Sequence, residues 1–212
     1  MPLILFDFDG VLADTLGDLL QFGQEACNEL GVPHIATQDD LNSLEIMSFA
    51  TYGKQLGVPK HLVDEFVRRC MQKFEEKESP PGIFKGLAEV IRELSTRHNI
   101  GVITGNSSVT VKAFLTVHGL EGNILVTYGL DAPGTKAEKI LQAQNHFAVK
   151  SDQVIMVGDS ASDIRAAKEA SVRSIAVSWG HQSPPTLIRA EPDYLVRSPG
   201  ELQKVITQVW SN

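Results

Sequence analysis

Short apolar runs rich in β-branched residues recur along the chain at residues 2–8, 100–104, 124–127, 153–157 and 174–177. Each has the length of a strand, and the first is continuously apolar up to its acids, the pattern of a strand buried on both faces. Helical patterns over residues 84–97, 107–118, 135–147 and 161–170 fall between them. Strands alternating with helices predict βαβ units, and so a parallel sheet covered on both faces. A weak sixth strand is expected at 193–196 and a closing helix over 199–210. Residues 15–79 break this rhythm with long helical patterns at 15–31, 38–53 and 60–77 and no convincing strand. Ser79-Pro80-Pro81-Gly82 ends the segment as a linker that mixes stiff and flexible residues. The expected organisation is therefore an α/β core of residues 1–13 and 82–212, interrupted by a helical insertion at 14–81 with its hinge linkers.

Composition narrows the class. At 212 residues, 42% hydrophobic and 21% charged, the chain reads as an ordinary globular protein of one large domain or one domain with an insertion. Its net charge of −7 argues against nucleic acid as a partner. Residues 14–80 carry 12 acids against 6 bases, which marks the insertion as compositionally distinct, with solvated helix faces as the plain explanation. Cys27 and Cys70 have no metal spacing and read as reduced thiols. No apolar stretch approaches the ~20 residues of a membrane span, and the first strand begins too early for a signal peptide. A cytoplasmic protein without a membrane partner is expected; its oligomeric state is not legible in the pattern. The cap aromatics Phe22, Phe49, Tyr52, Phe66 and Phe74 fall at helical spacings and read as packing inside the insertion.

The chemistry lies at the strand ends. Asp7 and Asp9 follow the first run, and residues two apart on a strand share a face. Thr104-Gly105-Asn106 follows the second, Lys136 opens the helix after the third, and Gly158-Asp159 with Asp163 follows the fourth. In a parallel sheet all of these meet at one edge, where ligands bind. Free N–H groups at a helix start hold anions, so Thr104, Gly105 and Asn106 suit phosphate oxygens, and Lys136 adds a positive charge. Asp7 and Asp159 suit a hard divalent cation such as Mg²⁺. A carboxylate approaching a phosphate dianion at ~4 Å meets about 4 kcal/mol of repulsion per charge pair at an effective dielectric of roughly 20. Metal and lysine together cancel it. Asp7 is then a nucleophile that forms an aspartyl phosphate, and Asp9 a general acid and base. Asp163 is placed to bond Lys136 or a metal-bound water, and equally is a first-turn acid favoured by the helix dipole.

Together these residues resemble the haloacid dehalogenase-like hydrolase superfamily. Asp7-Phe8-Asp9-Gly10-Val11 matches its first motif, Thr104 the second, Lys136 the third, and Gly158-Asp159 with Asp163 the fourth. The resemblance implies a Rossmannoid three-layer core with strand order 5-4-1-2-3 and a mobile helical cap after the first strand. It also implies Mg²⁺ held by the side chains of Asp7 and Asp159 and the backbone carbonyl of Asp9. The phosphoglycolate phosphatase-like and β-phosphoglucomutase-like branches are closest in appearance. Within the superfamily Asp9 argues against dehalogenase and phosphonatase chemistry, and Lys54 reads as a solvated surface lysine. Residues 40–60 hold no arginine of the kind with which mutase caps grip a second phosphate. Hydrolysis of a small phosphate ester is therefore expected ahead of phosphoryl transfer between sugars. A receiver domain needs only ~120 residues and no insertion, and a non-catalytic partner-binding protein has no use for a complete motif set. Trp179-Gly180-His181 follows the fifth strand at the same edge and reads as a loop filler or a contact to substrate or cap. The insertion's residues near 14–21 and 45–54 are expected to face the core.

Overall fold

A computed structural model describes residues 1–77 and 79–210; residue 78, just before the expected linker, and residues 211–212 lie outside it. Strands β1 (Leu3–Phe6) and β2 (Ala13–Asp14) lead into helices α1 (Leu16–Glu29), α2 (Gln38–Asn42), α3 (Phe49–Gln55) and α4 (Val63–Glu75). Strand β3 (Gly82–Ile83) and helix α5 (Leu87–Ser95) bring the chain back to β4 (Asn99–Ile103), α6 (Ser108–Val117), β5 (Val126–Tyr128) and α7 (Lys136–His146). The remainder is β6 (Val154–Gly158), α8 (Ala161–Glu169), β7 (Arg173–Val177), α9 (Pro184–Arg189), β8 (Tyr194–Val196) and α10 (Pro199–Val209).

Six strands form one parallel sheet in the order β5-β4-β1-β6-β7-β8. Counting only this sheet's strands along the chain (β1, β4, β5, β6, β7, β8 as first to sixth), the order is 6-5-4-1-2-3, which differs from the expected 5-4-1-2-3 by the sixth strand added at one edge. The sheet has two buried faces because its side chains alternate. Ile4 and Phe6 join Ile100, Val102, Ile155 and Val157 in a core covered by α5, α6 and α10. Leu3 and Leu5 join Ile103, Val154 and Met156 in a second core under α7 and α8. All four β1 side chains are fully buried, which explains why that strand shows no polar alternation.

Helices α1–α4 enclose a third apolar cluster, with Cys27, Leu41, Tyr52, Phe66 and Cys70 at its centre, that shares no residue with the sheet cores. Both cysteines are free and buried. The aromatics pair as expected: Phe22 with Phe74 at 4.8 Å and Tyr52 with Phe66 at 6.2 Å between ring centres. The single helix expected over 38–53 is two helices. Ser43 Oγ turns back onto the Asp40 carbonyl at 2.8 Å. Ser48 is extended and exchanges capping bonds with Thr51. Hydroxyl side chains that bond the local backbone end helices in this way. Two short elements were not anticipated: α9, and an antiparallel ribbon in which β2 pairs with β3. The ribbon ties together the segments entering and leaving the insertion, and an ion pair between Lys77 and Asp18 lies beside it. No helix among the described residues is long and apolar enough to cross a membrane.

Candidate active site

Alternation along β1 places Asp7 on the face of Leu3 and Leu5, toward α7 and α8. Those helices pack side by side through Ala137, Ile140, Ala166 and Ala167, so their N-terminal ends meet at the carboxyl edge of the sheet. Lys136 is the first residue of α7, and Asp163 lies in the first turn of α8. The Lys136 ammonium contacts Asp7 Oδ2 at 2.9 Å and also Asp163 Oδ1. Asp163 Oδ2 accepts from the Ser160 amide at 3.1 Å and the Ser160 hydroxyl at 2.7 Å. Asp163 thus both partners the lysine and caps its own helix.

Asp7 Oδ1 accepts the Phe8 amide at 2.8 Å. Asp9 Oδ2 accepts from Asn106 Nδ2 at 3.3 Å, which joins the first strand end to the second. Thr104 is buried and its hydroxyl accepts the Asn106 amide at 2.9 Å, closing the turn before α6. A side chain at Gly105 would meet nothing within 4 Å, so this turn borders open space. Asp159 is 1% exposed, and its Oδ2 accepts the His181 amide at 2.7 Å. Gly10, at φ +74°, and Gly180 close over it: a Cβ at Gly10 would fall 1.9 Å from Asp159 Oδ2, and one at Gly180 2.4 Å from Asp159 Cβ. No larger residue fits either position with Asp159 in place.

All eight residues singled out from the pattern therefore lie along one edge, with direct bonds joining Asp7, Lys136 and Asp163, and joining Asp9 to Asn106. Sequence reasoning placed His181 at this edge as a loop filler or a contact to substrate or cap, and expected 14–21 to face the core, but assigned no role to Thr15 or Gln182. His181 is buried, with Nδ1 3.2 Å from Asp159 Oδ2 and Nε2 3.1 Å from the Thr15 hydroxyl. A polar pair in the loop after a strand at the ligand edge, behind a glycine, was the available signal for Gln182.

The electrostatics are those of crowded acids. Burial raises the Asp7 carboxyl well above the usual range, with Lys136 opposing it. Burial also raises Asp9. Burial and the neighbouring Asp163 push Asp159 up to about 8. Burial works against the Lys136 charge, but Asp163 and Asp7 override it and raise its pKa. Burial lowers His181, favouring the neutral imidazole. Carboxylate oxygens of Asp7, Asp159 and Asp163 lie within 4.8 Å of one another. Three buried acids set against one lysine leave negative charge uncompensated, and an all-oxygen donor set fits a small hard cation. Asp163 already engages Lys136 and Ser160, so Asp7 and Asp159 are the side chains suited to hold one.

A pH-dependent effect of Mg²⁺ follows. Between about pH 4, where an unfolded aspartate ionises, and about pH 8, folded Asp159 keeps its proton. Its contribution to metal-free stability therefore falls as pH rises through that window. Mg²⁺ held by Asp7 and Asp159 would require the ionised form and would restore stability, against proton competition at the acid end. The rise in Tm on adding Mg²⁺ is expected to be larger at pH 8 than at pH 5 by scanning fluorimetry. Equal shifts would contradict the assignment.

A buried acid pair, a bridging lysine and an amide-rich turn at the carboxyl edge of a parallel sheet define a hydrolase of the phosphoryl-transfer type. The family model described as haloacid dehalogenase-like hydrolase matches residues 4–177, and the chain belongs to that family. It is 26% identical over 210 residues to the phosphoglycolate phosphatase of Synechococcus elongatus, covering 99% of each chain. It is 25% identical to the pyrophosphatase PpaX of Listeria welshimeri, covering 96% of this chain and 95% of that one. The fold is like that of a haloacid dehalogenase-like family hydrolase from Streptococcus pneumoniae, with a TM-score of 0.86, 23% identity, and 97% and 98% of the chains covered.

Proposed function

We propose that the chain is a Mg²⁺-dependent phosphatase of small phosphomonoesters that works through a phosphoryl group carried on Asp7. The observation that carries this is the placement of Asp7 against Lys136, with Asp9 on the adjoining turn bonded to Asn106. Thr104, Gly105 and Asn106 hold the phosphate oxygens, and Lys136 shares in their charge. An Asp7 oxygen attacks phosphorus while the ester P–O bond breaks, and protonated Asp9 gives its proton to the departing alcohol. Asp9 then takes a proton from water, whose oxygen attacks phosphorus. The bond to Asp7 breaks and phosphate leaves. The raised pKa of Asp9 suits a group that must hold a proton in one step and accept one in the next. Mg²⁺, held by the carboxylates of Asp7 and Asp159 with the Asp9 backbone carbonyl, supplies charge neutralisation when bound.

Residues 14–81 act in this account as a cap domain on residues 1–13 and 82–212. The β2–β3 ribbon is its hinge, and closure excludes water. The free buried thiols accord with work in the cytoplasm. Phosphoglycolate is the first substrate to try, given the similar phosphatase of that name. Phosphate release should be assayed with Mg²⁺ against phosphoglycolate, hexose phosphates, pyrophosphate and p-nitrophenyl phosphate. Release that depends on Mg²⁺, with one favoured compact ester, is expected. Silence from folded protein across the panel would overturn the proposal.

A further inference from the structure

Between the insertion and the catalytic edge runs a polar strut that the chemistry above does not use. Gln182 is 1% exposed and spends its whole side-chain amide on two elements. Its Oε1 accepts the amide of Ala161 at 2.8 Å. Its Nε2 donates to the carbonyls of Leu41 and Leu44, each at 2.9 Å. Ala161 is the first residue of α8, directly after the Ser160 that holds Asp163 and two after Asp159. Leu41 and Leu44 belong to α2 and the turn that follows it.

The neighbours of Gln182 repeat the arrangement. The His181 amide donates to Asp159 Oδ2 at 2.7 Å, and the His181 carbonyl accepts from Gln38 Nε2 of α2 at 3.1 Å. The Ser183 amide donates to Asn42 Oδ1 at 2.7 Å. Three consecutive residues thus grip α2 and its following turn on one side, while two of them grip the Asp159–Ala161 turn on the other. The part of the insertion bonded to the core here is 38–44, which the pattern of residues did not single out.

We infer that Gln182 is a positioning residue that locks the α2 segment to the start of α8, so that the seating of the insertion sets the geometry of Asp159 and Asp163. A glutamine suits this because it alone, with asparagine, offers two donors and an acceptor on one planar group. Simple adhesion between insertion and core needs no bond to α8. The bond to Ala161 is what turns adhesion into coupling. The inference rests on the proposed function for the meaning of Asp159, and deepens it.

Two variants test it. Gln182→Glu keeps an acceptor for Ala161 but aims an oxygen at the Leu41 and Leu44 carbonyls. Asn42→Ala removes the bond to Ser183, together with a bond to the neighbouring Asp39 within α2, from a half-buried position, and serves if the buried charge prevents folding. In metal-free protein, amide exchange by NMR should quicken at His181 and Ala161 as well as in α2. The Mg²⁺ dissociation constant by calorimetry should rise by about 10-fold in Gln182→Glu, the usual scale for groups that orient metal ligands. Faster exchange confined to α2, with His181, Ala161 and Mg²⁺ affinity unchanged, would reduce Gln182 to adhesive and overturn the inference. If wild-type protein binds no Mg²⁺, the metal assignment fails instead, and exchange at His181 and Ala161 still decides the role of Gln182.

Discussion

Asp7→Asn should remove turnover and leave the fold standing. Asparagine has the shape of the aspartate, and its one oxygen can accept either the Phe8 amide, as Asp7 Oδ1 does at 2.8 Å, or the Lys136 ammonium, which lies 2.9 Å from Asp7 Oδ2. Lys136 keeps its second partner, Asp163. Burial disfavours the Asp7 charge, so its loss costs the fold little. The amide, however, is no nucleophile toward phosphorus, and loss of a covalent nucleophile is not made up by the remaining groups. A fall in kcat of at least ~10⁴-fold is expected, a rise of about 5 kcal/mol in the barrier. Tm in the absence of Mg²⁺ should change little, because the charge lost to burial and the ion pair lost to Lys136 offset one another. Steady-state kinetics beside thermal scans check this, and an active variant would contradict the covalent route.

Lys136→Met should be the most damaging single change to the folded state of the site. The ammonium lies 2.9 Å from Asp7 Oδ2 and also contacts Asp163, whose side chain is 1% exposed. Methionine keeps much of the volume and removes the cation that bridges the two acids. Removing one partner from a buried ion pair typically costs about 3–5 kcal/mol, because the other charge stays buried without compensation. The pH dependence has a definite sign. Asp7 is already raised by burial with Lys136 opposing, so without the lysine it rises further and takes up a proton at higher pH. Stability lost at pH 8 should therefore be partly regained toward pH 5 in metal-free protein. Activity falls as well, by about 10²–10³-fold for one lost electrostatic contact to the transferring group. Urea unfolding at the two pH values measures the effect. Equal stability to wild type at pH 8 would show that the lysine is not the counter-charge of these acids.

The sheet was legible in the chain because its central strands are buried on both faces and so appear as unbroken apolar runs. Asp7, Asp9, Thr104, Lys136 and Asp159 were legible for a related reason: polar groups that directly follow such runs stand out, and a parallel sheet brings them to one edge. What escaped was which distant positions meet. Thr15 meets His181, and Gln182 meets Leu41 and Leu44, across more than 130 residues of chain. No local period records such pairs. The break at 43–48 escaped because the apolar pattern runs through it, while Ser43 and Ser48 redirect the backbone through their hydroxyls. The β2–β3 ribbon has two residues per strand, too few to show alternation.

The most direct measurement is to quench the enzyme in acid during turnover of its favoured ester and map the protein by peptide mass. One phosphoryl group on the peptide that carries Asp7, absent from Asp7→Asn, is the predicted result. Turnover without label on any peptide, or with label at another residue, would contradict Asp7 as the phosphoryl carrier.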